Sequence, residues 1–162
     1  MTVVVWITEG TWPACVDAAR AHAPAEAEVV LLYVAGAEVP AAAHGAFAGL
    51  LGRGHPRPDH PGAGWGSDPG TRLEQLASTT GADLLRSAAE RLGRPSTVRV
   101  GYGRVEREVV AAAAGASLLV LARDGSRPGP GPHSLGPAGR FVVDHAPCSV
   151  LLVWPHPAAG PG

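Results

Sequence analysis

Arginine and glycine residues suited to anion binding are concentrated between residues 122 and 140. The guanidinium groups of Arg123, Arg127 and Arg140 can donate paired hydrogen bonds to phosphate. The glycines of this segment let the backbone approach a ligand closely; they are Gly125, Gly129, Gly131 and Gly136. Prolines in the same segment remove backbone N–H donors; they are Pro128, Pro130, Pro132 and Pro137. The segment is therefore interpreted either as an anion-binding loop or as a stiff surface loop.

A helix predicted over residues 137–145 follows this segment. Pro137 suits its first position, and the first N–H groups of a helix have no acceptor within it. We therefore expect Ala138, Gly139 and Arg140 to present N–H groups at the positive end of the helix dipole. His133 is placed to face an anion, and His145 to interact with the carboxyl end of the helix.

The composition excludes several kinds of chemistry. The chain has 162 residues, a net charge of −1 and 13 basic residues, all of them arginine. Without lysine it has no Walker A loop and no Schiff-base amine. A net charge near zero gives no field that favours nucleic acid or an anionic membrane. Cys15 and Cys148 are expected to be free thiols in a reducing compartment.

Other constellations fit catalysis or metal binding poorly. His44, His55 and His60, with Asp59, match no tetrahedral zinc spacing, so no metal site is expected. No nucleophile lies in a recognisable motif with a base, so the chain is expected not to be an enzyme. The amino terminus has no signal-peptide pattern, which favours a cytoplasmic location. The run from Gly101 to Arg104 lacks the third glycine of a dinucleotide fingerprint, since Glu106 stands there, and is predicted to be a turn.

Apolar runs and helical patterns alternate along the chain. Strands are predicted over residues 2–8, 28–34, 97–100, 117–121 and 148–154, and long helices over 11–24, 71–93, 104–114 and 137–145. The helix at 71–93 is predicted to begin at a capping box formed by Thr71 and Glu74. A short helix is predicted over 40–51, an irregular Pro/Gly-rich insert over 53–70 and a disordered tail over 156–162, leaving a single domain at 1–155.

This alternation predicts an α/β fold. Continuous apolar strands indicate a five-stranded parallel sheet with helices on both faces, and the favoured strand order is 3-2-1-4-5. Ligands of such sheets bind at the carboxyl ends of the strands where the winding reverses, here between the first and fourth strands. The loops that meet there are residues 8–10 and 122–136.

From Gly103 onward the chain resembles the universal stress protein (UspA-type) family. The resemblance rests on GRVEREVVAAAAGASLLVLARDG and LGPAGRFVVDHAPCSVLLV, where His145-Ala146-Pro147-Cys148-Ser149-Val150 is close to the family's typical entry into its last strand. It implies a Rossmann-like, adenine nucleotide alpha hydrolase-like fold. It also implies a non-catalytic stress-response protein that forms a homodimer through the last strand, at Val150, Leu151, Leu152 and Val153.

The resemblance also implies a degenerate site for ATP or AMP. ATP-binding members carry G-x2-G-x9-G-S/T after the fourth strand; here Ala122 replaces the first glycine, Gly125 matches the second, and Pro137 replaces the Ser/Thr. The spacing from Gly125 to Gly136 is one residue longer than in the pattern. Thr8 stands where members carry an aspartate, with Glu9 as a substitute, and Val34 matches the position that meets adenine. Together with the arginines and the helix-start residue considered above, the predicted set of site residues is Thr8, Glu9, Val34, Ala122, Arg123, Gly125, Arg127, Gly136, Pro137 and Ala138.

Two other functions stay open. One is a ligand-free dimeric interaction scaffold. The other is a weak nucleotide hydrolase or nucleotidyl-transfer relative that uses Glu9 and the arginine-containing loop. A nucleotide titration separates them, because only the scaffold binds no nucleotide.

Overall fold

The strands and helices alternate in the predicted order. The computed structural model describes residues 1–36, 69–123 and 135–155. Within these ranges the elements are β1 (Thr2–Trp6), α1 (Trp12–His22), β2 (Glu28–Gly36), α2 (Pro69–Leu92), β3 (Thr97–Gly103), α3 (Val105–Ala112), β4 (Leu118–Ala122), α4 (Pro137–His145) and β5 (Ser149–Val153). The predictions for residues 40–51, for most of the insert at 53–70 and for the tail at 156–162 lie outside the described residues.

The five strands form one parallel sheet in the order β3-β2-β1-β4-β5, which confirms the predicted topology. β1 lies at the centre, where Val4 pairs with Val30 of β2 on one side and with Leu119 of β4 on the other. Its run of apolar residues without alternation fits this place, because helices cover both faces of the sheet. Val3, Val4 and Val5 are all buried.

Successive residues of β1 pack into two hydrophobic cores, one on each face of the sheet. Val3, Val5 and Ile7 pack on the face covered by α1 and α2, with Cys15, Val16, Ala19, Leu85 and Ala88. Val4 and Trp6 pack on the opposite face, against Val109 of α3 and Val142 of α4. The inward face of α1 is formed by Cys15, Val16 and Ala19.

Two predicted boundaries are wrong. β3 continues past Val100 to Gly103, so Gly101-Tyr102-Gly103 is strand and not a turn. The reason is tertiary: β2 also continues to Gly36, and the two strands pair up to Gly36 with Gly103. α2 begins at Pro69, so Thr71 lies inside the helix and does not cap it. The side chains of the predicted capping box, and those of Leu73, Leu76 and Ala77, lie outside the described residues.

Gly81 occupies the interior of α2 for a packing reason. A Cβ at this position would overlap the aromatic ring of Tyr33 on β2. Glycine costs a helix about 1 kcal/mol relative to alanine. Glycine is nevertheless suited to this position, because without a methyl group here α2 can pack directly on the Tyr33 ring. Gly115, with φ of 81°, adopts the left-handed conformation in the turn after α3, whose last helical residue is Ala112.

Candidate functional site

The carboxyl ends of β1 and β4 lie side by side, as the predicted switch point requires. After β1 the chain turns at Gly10, whose φ is 80°. The N–H groups of Thr11 and Trp12 both donate to the carbonyl of Thr8, at 3.3 and 3.1 Å. The hydroxyls of Thr8 and Thr11 are 2.5 Å apart and hydrogen-bonded to each other. Thr8 is thus engaged in building the turn, while Glu9 beside it is exposed.

An open cleft of about 650 Å³ lies at the same edge of the sheet. Its walls are the ends of β2 and β3 and the amino-terminal turns of α3 and α4. The lining residues are Gly36, Gly103, Arg104, Val105, Glu106, Pro137, Ala138 and Phe141. Its volume falls within the range of pockets that hold small molecules and cofactors, about 300 to 1,000 Å³.

The first turn of α4 forms one wall of this cleft. Gly136 caps the helix in an extended conformation without a side-chain hydrogen bond, and Pro137 follows it. The N–H of Arg140 donates to the Gly136 carbonyl at 2.9 Å, so the prediction of a free N–H at Arg140 is wrong. The N–H groups of Ala138 and Gly139 precede this first intrahelical bond. This wall therefore offers two backbone donors at the positive end of the helix dipole.

The first turn of α3 forms the facing wall and is acidic. It carries Glu106 and Glu108. Glu106 lines the cleft, and its carboxylate lies 3.1 Å from Nε of Arg104. Its side chain is 19% exposed, against 63% for Arg104. Glu108 is turned toward the backbone of β3, beside Gly101 and Gly103.

An aromatic pair lies on the cleft side of α4. The rings of Phe141 and His145 are stacked, with centroids 4.0 Å apart and planes at 8°. Nδ1 of His145 lies 2.9 Å from the Phe141 carbonyl oxygen, to which it donates when protonated there. This bond satisfies a carbonyl of the last helical turn, as expected for a histidine at this end of a helix.

Arg123 points to a different part of the molecule. Its guanidinium carbon lies 4.8 Å from the centroid of the Trp154 ring, in a cation–π contact. Its N–H donates to the Val153 carbonyl at 2.9 Å, and the preceding residue, Ala122, pairs with Val153. Arg123 thus joins the ends of β4 and β5.

The other predicted site residues also lie in separate parts of the fold. Pro137 and Ala138 line the cleft, next to the cap residue Gly136, whereas Thr8 and Glu9 lie in the β1–α1 turn. Val34, 7% exposed, belongs to the core beneath α3 and α4. Gly125, Arg127 and His133 lie outside the described residues.

Sequence reasoning missed much of the cleft lining. Gly36, Glu106 and Phe141 were not predicted as site residues. Gly103 and Glu106 were noticed only as parts of a failed fingerprint. These residues lie near α4 because β2 and β3 continue as far as Gly36 and Gly103. The residue types alone do not indicate this extension.

Two further sequence expectations can be compared with the described residues. Both cysteines there are free thiols. Burial raises the pKa of Cys15 to about 12 and also raises that of Cys148, so both are protonated at neutral pH. Within residues 1–36, 69–123 and 135–155, no group of three or more His, Cys, Asp or Glu residues is arranged to hold a metal ion. None of the helices in those ranges is long and apolar enough to cross a membrane.

Universal stress proteins of known structure resemble this chain over nearly its whole length. UspA from Lactobacillus plantarum matches with a TM-score of 0.62 and 20% identity, over 94% of this chain and 97% of that one. A universal stress protein in complex with cAMP matches at 0.58 and 19%, over 96% and 98%. A family protein from Arabidopsis thaliana with AMP bound matches at 0.58 and 14%, over 100% and 96%.

The chain has the universal stress protein fold. These likenesses confirm the resemblance at the level of architecture: a five-stranded parallel sheet in the order 3-2-1-4-5 with helices on both faces. No protein-family model and no curated protein sequence matches the chain.

Proposed function

We propose that this chain is a universal stress protein that binds an adenine nucleotide in the cleft between α3 and α4, without catalysis of its own. The observation that carries the proposal is the position of Pro137 and Ala138. The family pattern assigns this point of the sequence to phosphate, and both residues line the cleft. Two proteins of the same fold are described with cAMP and AMP bound. A cytoplasmic stress-response role rests on the resemblance.

The local chemistry fits a nucleotide in two ways. The Ala138 and Gly139 N–H groups at the start of α4 suit a phosphate, because a helix amino terminus favours an anion. Phe141 offers an aromatic surface on the same wall, and aromatic side chains stack on bases. The remaining residues that the family pattern implies, among them Thr8, Glu9 and Val34, belong to the proposed site as its more distant members.

Calorimetric titration with AMP and cAMP tests the proposal. The matched variants are Ala138→Glu and Val143→Glu, which add the same charge to the same helix. Glu at residue 138 suits the first turn of a helix but repels phosphate, whereas Val143 is exposed and does not line the cleft. We expect binding to be lost in Ala138→Glu and kept in Val143→Glu. No binding by the wild-type chain at millimolar nucleotide refutes the nucleotide function and leaves a ligand-free scaffold.

Catalysis is tested separately at Glu9. This carboxylate is exposed in the turn after β1, the position that a hydrolase or nucleotidyl-transfer relative would use. We expect no product from ATP over a long incubation. Turnover that disappears in Glu9→Gln contradicts the non-catalytic proposal.

The proposed homodimer joins two copies through β5, an edge strand of the sheet. The Val153 carbonyl accepts a hydrogen bond from the N–H of Arg123, the residue that directly follows β4, so this carbonyl faces β4 and not the free edge. Because successive residues of a strand point their hydrogen-bonding groups to alternate sides, those of Leu152 point outward. Leu152→Pro removes an outward N–H without removing a bond to β4. Light scattering is expected to show a dimer for the wild type and a monomer for Leu152→Pro. A monomeric wild type refutes the dimer.

A further inference from the structure

The two helix amino termini that face the cleft differ in charge. The first turn of α4 has no acidic residue and opens with Gly136 and Pro137. The first turn of α3 has Glu106 and Glu108. An anion is therefore favoured at α4 alone, because the chain's own carboxylates already occupy the positive end of the α3 dipole.

Glu106 is held at the cleft by a neighbour. Nε of Arg104 lies 3.1 Å from its carboxylate, and both residues line the cleft. While this pair is intact, Glu106 competes with any phosphate for the Arg104 guanidinium. The backbone N–H groups of Ala138 and Gly139 come before the first hydrogen bond within α4 and can donate to the oxygens of a phosphate group. Further phosphates of a ligand held at α4 would share the cleft with Glu106, and like charges repel.

We propose that Glu106 is a specificity residue that limits the ligand to a single phosphate, so that the cleft takes an adenosine monophosphate in preference to the triphosphate. This inference rests on the proposed nucleotide function. In it, Glu106 acts in two ways: it repels the second and third phosphates, and it keeps Arg104 from pairing with them. A carboxylate at this position also accepts hydrogen bonds from ligand hydroxyl groups, which a nucleotide ribose supplies.

The experiment is a titration of AMP and ATP into the full chain, without divalent cations so that ATP keeps its charge. The variants are Glu106→Gln and Glu108→Gln. They remove one charge each from the same helical turn, but only Glu106 lines the cleft, whereas Glu108 faces β3. We expect the wild type to bind AMP more tightly than ATP by about tenfold, and Glu106→Gln to reduce that ratio by about fivefold, as for one unit charge acting through partly exposed surroundings. Glu108→Gln is expected to leave the ratio within about twofold, because its charge lies off the cleft.

The possible results distinguish the role of Glu106 from the nucleotide binding on which that role rests. Equal or tighter binding of ATP by the wild type overturns the role of Glu106 and leaves the nucleotide function standing. An equal change in the ratio of AMP to ATP affinity in both variants means that the loss of any nearby charge causes the effect, and this also overturns the role of Glu106. No binding of either nucleotide overturns both. Thermal unfolding of each variant verifies that the fold is retained.

Discussion

The described residues at the amino-terminal edge of the sheet tie its loops together, whereas those at the carboxyl edge line an open cleft. At the amino-terminal edge, Arg94 donates to three backbone carbonyls of the α1–β2 loop, those of Pro24 and Ala25 at 2.9 and 2.8 Å and that of Ala27. The Glu28 N–H donates to the Met1 carbonyl at 3.0 Å. A depression of about 440 Å³ at this edge is lined by Arg94 itself.

At the carboxyl edge the described polar side chains pair with close neighbours in the chain, Thr8 with Thr11 and Glu106 with Arg104. The cleft there is larger, and its walls hold the acidic turn of α3 and the backbone donors of α4. The described residues thus place a network of hydrogen bonds at one edge of the sheet and the proposed binding cleft at the other. Substitutions at the amino-terminal edge should change the free energy of unfolding without changing ligand affinity, and substitutions in the cleft should do the reverse.

The largest expected effect is the loss of stability in Arg94→Ala. Three charge-assisted hydrogen bonds to backbone carbonyls, two of them part-buried, disappear together, which should lower the free energy of unfolding by about 2 to 3 kcal/mol. Denaturant unfolding measures this, and Arg91→Ala is the control, because the Arg91 pair with Asp17 is exposed. A loss no greater than that of Arg91→Ala, or a weakened nucleotide affinity, contradicts the division between the edges.

A smaller loss is expected for Gly81→Ala, which disturbs the contact of α2 with Tyr33. The added methyl group overlaps the Tyr33 ring. The cost of overpacking exceeds the gain in helix propensity, so the net destabilisation should be about 1 to 2 kcal/mol. Thr80→Ala, at an exposed position of the same helix, is the control and should stabilise slightly. A stabilised Gly81→Ala contradicts this packing.

At the carboxyl edge, Pro137→Ser should strengthen nucleotide binding. The substitution restores an N–H and a hydroxyl at the cleft wall, and one additional hydrogen bond of about 1 kcal/mol corresponds to about fivefold in affinity. Pro147→Ser makes the same change at the other end of α4 and should leave the affinity unchanged. Calorimetry with AMP distinguishes them, and an unchanged affinity in Pro137→Ser removes the support for a phosphate at this point.

The smallest effect concerns the pH dependence of the α1–α2 contact. The hydrogen bond from Arg91 lowers the pKa of Asp17 below its ordinary value of 3.8. The stabilisation is therefore fully present above that value and is lost as the pH falls through the lowered pKa of the folded state. Because the pair is exposed, its contribution to stability is small. Unfolding measured at pH 7 and near pH 2 should show this loss in the wild type but not in Asp17→Asn.

The sequence by itself determined the architecture. Runs such as Val3-Val4-Val5 indicate strands that are buried on both faces. Right-handed crossovers then leave few possible orders for five strands in a parallel sheet. The buried face of α1 and the left-handed turn at Gly115 after α3 followed from local rules that need only helical spacing and the conformational freedom of glycine. Pro137 and Ala138 were found because the family pattern marks them.

Only the tertiary structure decided what surrounds those residues. Gly101 to Gly103 form strand because β2 supplies a partner as far as Gly36, and a partner 67 positions away leaves no local signal. Gly81 looks like a weak point of α2 until Tyr33 is placed against it. Glu106 belongs to the cleft, rather than merely to the surface of a helix, because two parallel strands end beside each other and bring the first turns of α3 and α4 to the same opening. Propensity acts between neighbours in the chain, whereas a binding cleft is made by residues that only the fold brings together.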